Sequence, residues 1–255
     1  MKSFKKILGV GLVFAGLATA AYAADDDKES KEVKRVHSAA TVLDEIMGTP
    51  DKGIPREVLE SAKCVAVVPS MIKGGFIVGA RYGKGVATCR LKSHWSAPAP
   101  ITIAGGSWGL QFGGEAVDIV MLVMNDKGMQ RLLSSEFKLG AEASAAAGPV
   151  GREAAADTDW KMRAEVLTYS RARGVFAGLE LNGAVVKQDE DDTRALYGTL
   201  VPFKTILAGD VAAPSGTHHF VETITKYAND VKEQKGSVVT PDLETPKQDA
   251  APASK

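Results

Sequence analysis

The glycines constrain this chain most. Strand-like apolar runs follow one another at residues 64–68, 76–82, 86–91, 100–104, 117–124, 166–170 and 175–181. Gly83-Lys84-Gly85 separates the second run from the third, and Asn182-Gly183 follows the last. Parallel neighbours need a crossover of a dozen residues or more, so strands joined this tightly must pair antiparallel. One hairpin is expected over 76–91. Another is expected over 175–187, because Asn-Gly between apolar flanks is the strongest two-residue hairpin signal. Gly105, Gly106, Gly113, Gly114 and Gly178 lie within or beside strand-like runs and suit bulges and barrel corners.

Helical patterns gather towards the two ends. Val33, Val36, Ala40, Leu43 and Met47 recur at 3-4-3-4 spacing and predict a helix over 28–47. Gly48-Thr49-Pro50 stops it, and Pro55 suits the first turn of a short helix. Further helices are expected over 125–134, from a cap at Asp191-Asp192 through Tyr197, and over 217–231. The class is α+β: a Gly-rich, strongly bent, mostly antiparallel β-sheet or partial barrel with flanking helices.

Composition excludes several functions. With 255 residues, 45% hydrophobic, there is chain enough for a core without metal or disulfide support. A formal net charge of zero argues against a general nucleic-acid binder, and 6% aromatics are too few for a wide base-stacking platform.

The termini have their own signatures. Lys2, Lys5 and Lys6 precede an uncharged, mostly apolar run over 7–20, and Ala21-Tyr22-Ala23 offers small residues where a signal peptidase reads. The run is shorter than the roughly 20 residues that span a bilayer. Residues 1–23 are therefore expected to be a cleaved signal peptide, which makes the chain exported, periplasmic or secreted. At the other end, residues 236–255 are polar with three prolines and predict a disordered tail after a C-terminal helix over 211–235. An oxidising compartment would favour a disulfide between Cys64 and Cys89; two separate buried thiols are the alternative.

Motifs for chemistry fail on context. Gly105-Gly106-Ser107-Trp108-Gly109 fits G-x-S-x-G, but that motif needs a strand turning into a helix, and the next residues read as glycine-rich strand. Gly79 to Gly85 lacks the spacing and the Ser or Thr of a phosphate loop. His37, His94, His218 and His219 have no metal-ligand spacing. The acids from Asp189 to Asp192 lack the calcium-loop pattern and suit a helix start, where they oppose the dipole. No catalytic residue, metal or cofactor is expected.

Basic residues remain. Arg81, Lys84, Arg90 and Lys92 fall on the first expected hairpin. Arg152, Lys161, Arg163, Arg171 and Arg173 follow later, with Trp160 and Tyr169 among them. Cations beside amphipathic aromatics suit anionic head groups, and a solvated face of a neutral protein is the alternative.

Taken in order, the motifs resemble the SYLF domain. They are Ala62-Lys63-Cys64-Val65-Ala66-Val67, Gly75-Phe76, Gly79-Ala80-Arg81-Tyr82-Gly83-Lys84-Gly85, Trp95-Ser96-Ala97-Pro98 and Gly109-Leu110-Gln111-Phe112-Gly113. Asp118, Leu139-Gly140, Ala146-Ala147-Gly148-Pro149, Gly151-Arg152, Tyr169-Ser170, Gly174-Val175-Phe176-Ala177-Gly178 and Tyr197-Gly198 complete the series. The similarity covers roughly 35–200 within a domain drawn at 24–210. It implies a non-enzymatic phospholipid-binding module, with phosphoinositides preferred by eukaryotic members, some of which also bind actin. For an exported chain it implies an anionic lipid or membrane surface as partner; export argues against actin, and the charge balance argues against nucleic acid. Arg81, Lys84, Arg90, Arg152, Lys161, Arg163, Arg171 and Arg173 are the candidate lipid-binding residues. An envelope structural or protein-interaction module without lipid affinity is the alternative.

Overall fold

The computed structural model describes residues 29–49, 53–75, 78–108, 114–150, 164–172, 175–179 and 181–236. The expected signal peptide (1–23), all but the first residue of the expected tail (237–255), and Arg152, Trp160, Lys161, Arg163 and Arg173 lie outside the described residues.

Helix α1 (Lys31–Met47) starts where the Ser30 side chain accepts from the Val33 N–H, and α2 (Arg56–Ser61) follows Pro55. The strands are β1 (Cys64–Gly75), β2 (Val78–Cys89), β3 (Ala99–Trp108), β4 (Gly114–Val123), β5 (Glu136–Lys138), β6 (Ala145–Ala147), β7 (Val166–Ala172), β8 (Val175–Gly178) and β9 (Val185–Gln188). Helix α3 (Asp126–Leu132) lies between β4 and β5, and α4 (Glu190–Tyr197), α5 (Phe203–Leu207) and α6 (His218–Gly236) close the order. All nine strands join one strongly curled sheet in the order β5-β9-β3-β2-β1-β4-β7-β6, with β8 also on β7. Strand β6 runs parallel to β7, and the other strand pairs are antiparallel. The expected α+β class and bent, mostly antiparallel sheet are what the chain adopts.

Each face of the sheet has its own core. Helices α1, α2 and α6 press Leu43, Leu59, Phe220 and Ile224 onto Val65, Val67, Val86, Val120 and Leu167. The opposite face gathers Val68, Met71, Ile101, Ile103 and Ile119 with Phe203 and Ile206 of α5. Each such fully buried side chain contributes on the order of 1.5–3 kcal/mol. Tyr169, expected among surface cations, is wholly buried, and its ring lies where a Cβ on Gly148 would be, at 2.0 Å. That close approach accounts for glycine in the Ala146-Ala147-Gly148-Pro149 motif.

Two hairpins change on inspection. Gly83-Lys84-Gly85 is not a turn: β2 runs straight through it, paired to β3 along its length. The glycines are there because β1 bulges against them. Between Val67 and Ile72 strand β1 carries one residue more than β2, and Ser70 adopts φ 51°. A Cβ on Gly85 would stand 2.1 Å from the Val67 carbonyl oxygen. Likewise, β8 and β9 do not pair; β8 joins β7 while β9 joins β3 and β5. The Ala184 N–H does donate to the Leu181 carbonyl, closing a turn, but positive φ occurs at Gly183 and not at Asn182. A type I′ hairpin turn requires it at both.

Cys64 and Cys89 face each other across β1 and β2 and are joined in a disulfide, both buried. The bond closes a separation of 25 residues. Replacing both cysteines with alanine is expected to cost about 2–4 kcal/mol, mostly by freeing the unfolded chain. Urea denaturation with and without reductant checks this.

Candidate functional site

The described basic candidates do not form one cluster; each belongs to a different part of the fold. Lys84 lies on the helix-covered face, where its Nζ meets Asp189 at 2.7 Å and Asp192 at 2.8 Å. Asp192 also pairs with Arg35 of α1, and Thr102 donates to Asp189 at 2.7 Å. Burial works against the Lys84 ammonium, but the two carboxylates outweigh it and raise its pKa. Burial pushes the Asp189 carboxyl up, yet Lys84, the Asp192 N–H and Thr102 together hold it below its ordinary value. Asp189, rather than Asp191 or Asp192, is the N-cap of α4, its side chain accepting from the Asp192 N–H.

Arg171 is also committed. It donates through Nε and Nη2 to Asp118, at 3.0 and 2.7 Å, and pairs with Glu45 of α1. The other Asp118 oxygen accepts from the Ser70 N–H at 2.9 Å and so holds the β1 bulge. Arg90 stacks 4.4 Å over Trp95 and donates to the Glu60 and Ala62 carbonyls at the C-terminus of α2. Cations suit that end of a helix, so Arg90 has a structural task. Ser96 accepts from the Cys89 N–H, and Tyr197 donates to the Pro98 carbonyl. The Trp-Ser-Ala-Pro motif therefore fastens sheet to helices.

Arg81 differs. It donates to the Gly106 carbonyl at 3.1 Å and, at 3.5 Å, to that of Asn182; its Nε is buried with no hydrogen-bond partner, and among the described residues no carboxylate pairs with it. Burial lowers its pKa, the expected effect on a half-desolvated cation. Lys73 is its cross-strand partner on β1. Both stand near the end of the sheet where β1 passes into β2.

The same end carries exposed apolar side chains. Ile72 and Tyr82 are cross-strand partners, 61% and 50% exposed, and Val175, beside the β7–β8 connection, is 68% exposed. Ala116 continues the row beyond Ile72, and Ala104 lies beyond Tyr82. This row is the continuation of the helix-covered face, one step past the line that α1 follows from Arg35 to Glu45. Sequence alternation misses it, since the extra residue at Pro69-Ser70 changes which face every later β1 residue takes. Among the described residues no group of acids, histidines or cysteines could hold a metal ion.

The sheet thus carries helices on both faces, and among the described residues it exposes an apolar row at the end where β1 passes into β2. Residues 104–227 match the Ysc84 family model, described as "Las17-binding protein actin regulator". The chain is 33% identical over 201 residues to "SH3 domain-containing YSC84-like protein 1" of Rattus norvegicus, an alignment that takes in 78% of this chain and 58% of the relative. It is 32% identical to the Homo sapiens protein of the same name over 201 residues, with the same coverage of each chain. To "Protein YSC84" of Saccharomyces cerevisiae it is 34% identical over 192 residues, 73% of this chain and 40% of that one. The chain belongs to the Ysc84, or SYLF, family. It spans about three fifths of the length of the first of these relatives.

Proposed function

We propose that this chain is a non-enzymatic module that binds anionic phospholipid surfaces through the open end of its sheet, as an exported protein of the cell envelope. The observation that carries this reading is the company kept by Arg81. A half-buried guanidinium without a carboxylate partner among the described residues stands beside Lys73, at the same end as exposed Ile72, Tyr82 and Val175 but on the sheet face opposite Ile72 and Tyr82, so that a surface meeting the end of the sheet would meet both faces. Apolar side chains would enter the head-group region shallowly while the cations meet phosphate. Lys84 and Arg171 are neutralised within the fold and Arg90 stands at the opposite end of the sheet, so of the described candidates Arg81 is retained for this role.

Each cation near an anionic surface contributes about 1 kcal/mol. Sedimentation with phosphatidylglycerol vesicles at low ionic strength should show binding that weakens with salt, and phosphatidylcholine vesicles should bind far less. Lys73→Glu combined with Ile72→Asp, both on exposed or half-exposed positions, should weaken binding at least about tenfold. No wild-type sedimentation, or equal binding by the variant, would defeat the proposal. The family description and relatives' names favour a second reading, in which this end docks a protein; that reading predicts no vesicle binding.

A further inference from the structure

The opposite end of the sheet holds a cavity of different character. Its volume is about 750 Å³, and its charged lining consists of Lys63, Arg90 and Lys92, with His94 and Ser93 beside them and no carboxylate. That size is in the range of small-molecule sites, which run from about 300 to 1,000 Å³. Eight residues of β1 separate Lys63 and Cys64 from Ile72, so roughly 25 Å divides this cavity from the exposed apolar row.

The walls are built. The loop after β2 is pinned at its base: Arg90 bridges Trp95, the Leu91 N–H donates to the His94 carbonyl, and the Arg90 N–H donates to the Lys63 carbonyl at 2.7 Å. Gly209, at φ 84°, brings the segment after α5 against Leu91, where a Cβ would meet that side chain at 2.3 Å. Arg90 is held in place by Trp95 and two carbonyls, so its charge is fixed before any ligand arrives. Lys92 has no ion-pair partner among the described residues, and Lys63 has one exposed pairing, to Asp126 at 3.3 Å. A second cavity of about 520 Å³ adjoins the first, sharing His94 and Gly209 and adding the apolar surfaces of Trp95, Val211 and Val221 together with Asp210 and His218.

From this arrangement we infer that the cavity is a separate binding site for a phosphate-type anion, held by Lys63, Lys92 and the fixed charge of Arg90, with room for a short apolar extension along Trp95. The anion is either a free phosphate compound or the head group of a single amphiphile. The site does not depend on the membrane-facing end of the sheet.

Trp95 supplies the readout. In the full chain carrying Trp108→Phe and Trp160→Phe, its emission is followed at low ionic strength. The two probes are inorganic pyrophosphate and monomeric dihexanoylphosphatidylglycerol. A saturable change with pyrophosphate supports a free phosphate ligand; a change with the short-chain lipid alone supports a head group. Lys63→Glu with Lys92→Glu should weaken the response at least about tenfold, while Arg194→Glu, on exposed α4, should leave it unchanged. No saturable change with either probe, an equal response to sodium chloride of matched ionic strength, or an unaltered double variant would overturn the inference. The Ile72→Asp, Lys73→Glu protein should keep the Trp95 response, so failure of vesicle binding and failure of this site are read separately.

Discussion

Asp189→Ala is expected to cost about 3 kcal/mol of folding stability, the lower end of the range for breaking a buried ion pair. Asp189 is 6% exposed, whereas Lys84 keeps 28% of its side chain in contact with solvent, which limits the penalty. The substitution removes three things together: one of the two carboxylate partners of Lys84, the acceptor for Thr102, and the N-cap of α4. Loss of the cap alone is worth about 1 kcal/mol. The cluster also sets a pH window. Asp189 has a depressed folded pKa, so its contribution is complete above its unfolded value of 3.8 and is lost as pH falls through the lower folded value. Lys84 has a raised folded pKa, so its contribution is complete below 10.5 and fades as pH climbs through the folded value. Urea midpoints at about pH 3 and about pH 7 test this: the acid-side fall should be smaller in Asp189→Asn than in the wild type. An equal fall in both would show that the cluster does not govern acid stability.

Gly85→Ala should be more damaging still, at about 4 kcal/mol or outright failure to accumulate folded protein. The new methyl would stand 2.1 Å from the Val67 carbonyl oxygen and 2.8 Å from the Val68 Cα. Both are backbone atoms of a strand paired on either side, and neither can turn away as the end of a flexible side chain would. Gly74→Ala is the matched control. It lies in the same strand pair with nothing within 4 Å of the new Cβ, and should change stability by less than about 0.5 kcal/mol. Soluble yield and denaturation midpoints compare the two directly, and equal tolerance at both glycines would mean the bulge does not press on β2.

The contrast between these glycines shows where sequence reading succeeds. The strand-like runs, the apolar stripe of α1 and the motif series from Ala62 to Gly198 carry local information, and they were enough for the fold class and the family. The role of Gly83 and Gly85 depends on one extra residue in a neighbouring strand. A glycine that makes a turn and one that makes room look alike in one dimension. The same holds for charge. Lys84 and Asp189 are more than a hundred positions apart, and nothing local to either marks them as partners. Arg171 and Asp118 meet only because β4 and β7 are neighbours. Candidate cations therefore scatter once the chain folds, and the exposed pair Ile72 and Tyr82 has no signature in the sequence because the bulge breaks the two-residue period.

Helix α1 is fastened at Arg35 to α4 and at Glu45 to β7. Ten residues of helix measure about 15 Å. Between β2, which carries Lys84, and β7 there are three strand spacings, or roughly 14 Å. The helix is thus a ruler laid across the sheet, its length matched to the chord it spans. Flattening the sheet would lengthen that chord and break one fastening or the other. The curvature of the sheet is tied to the count of residues between two charged side chains.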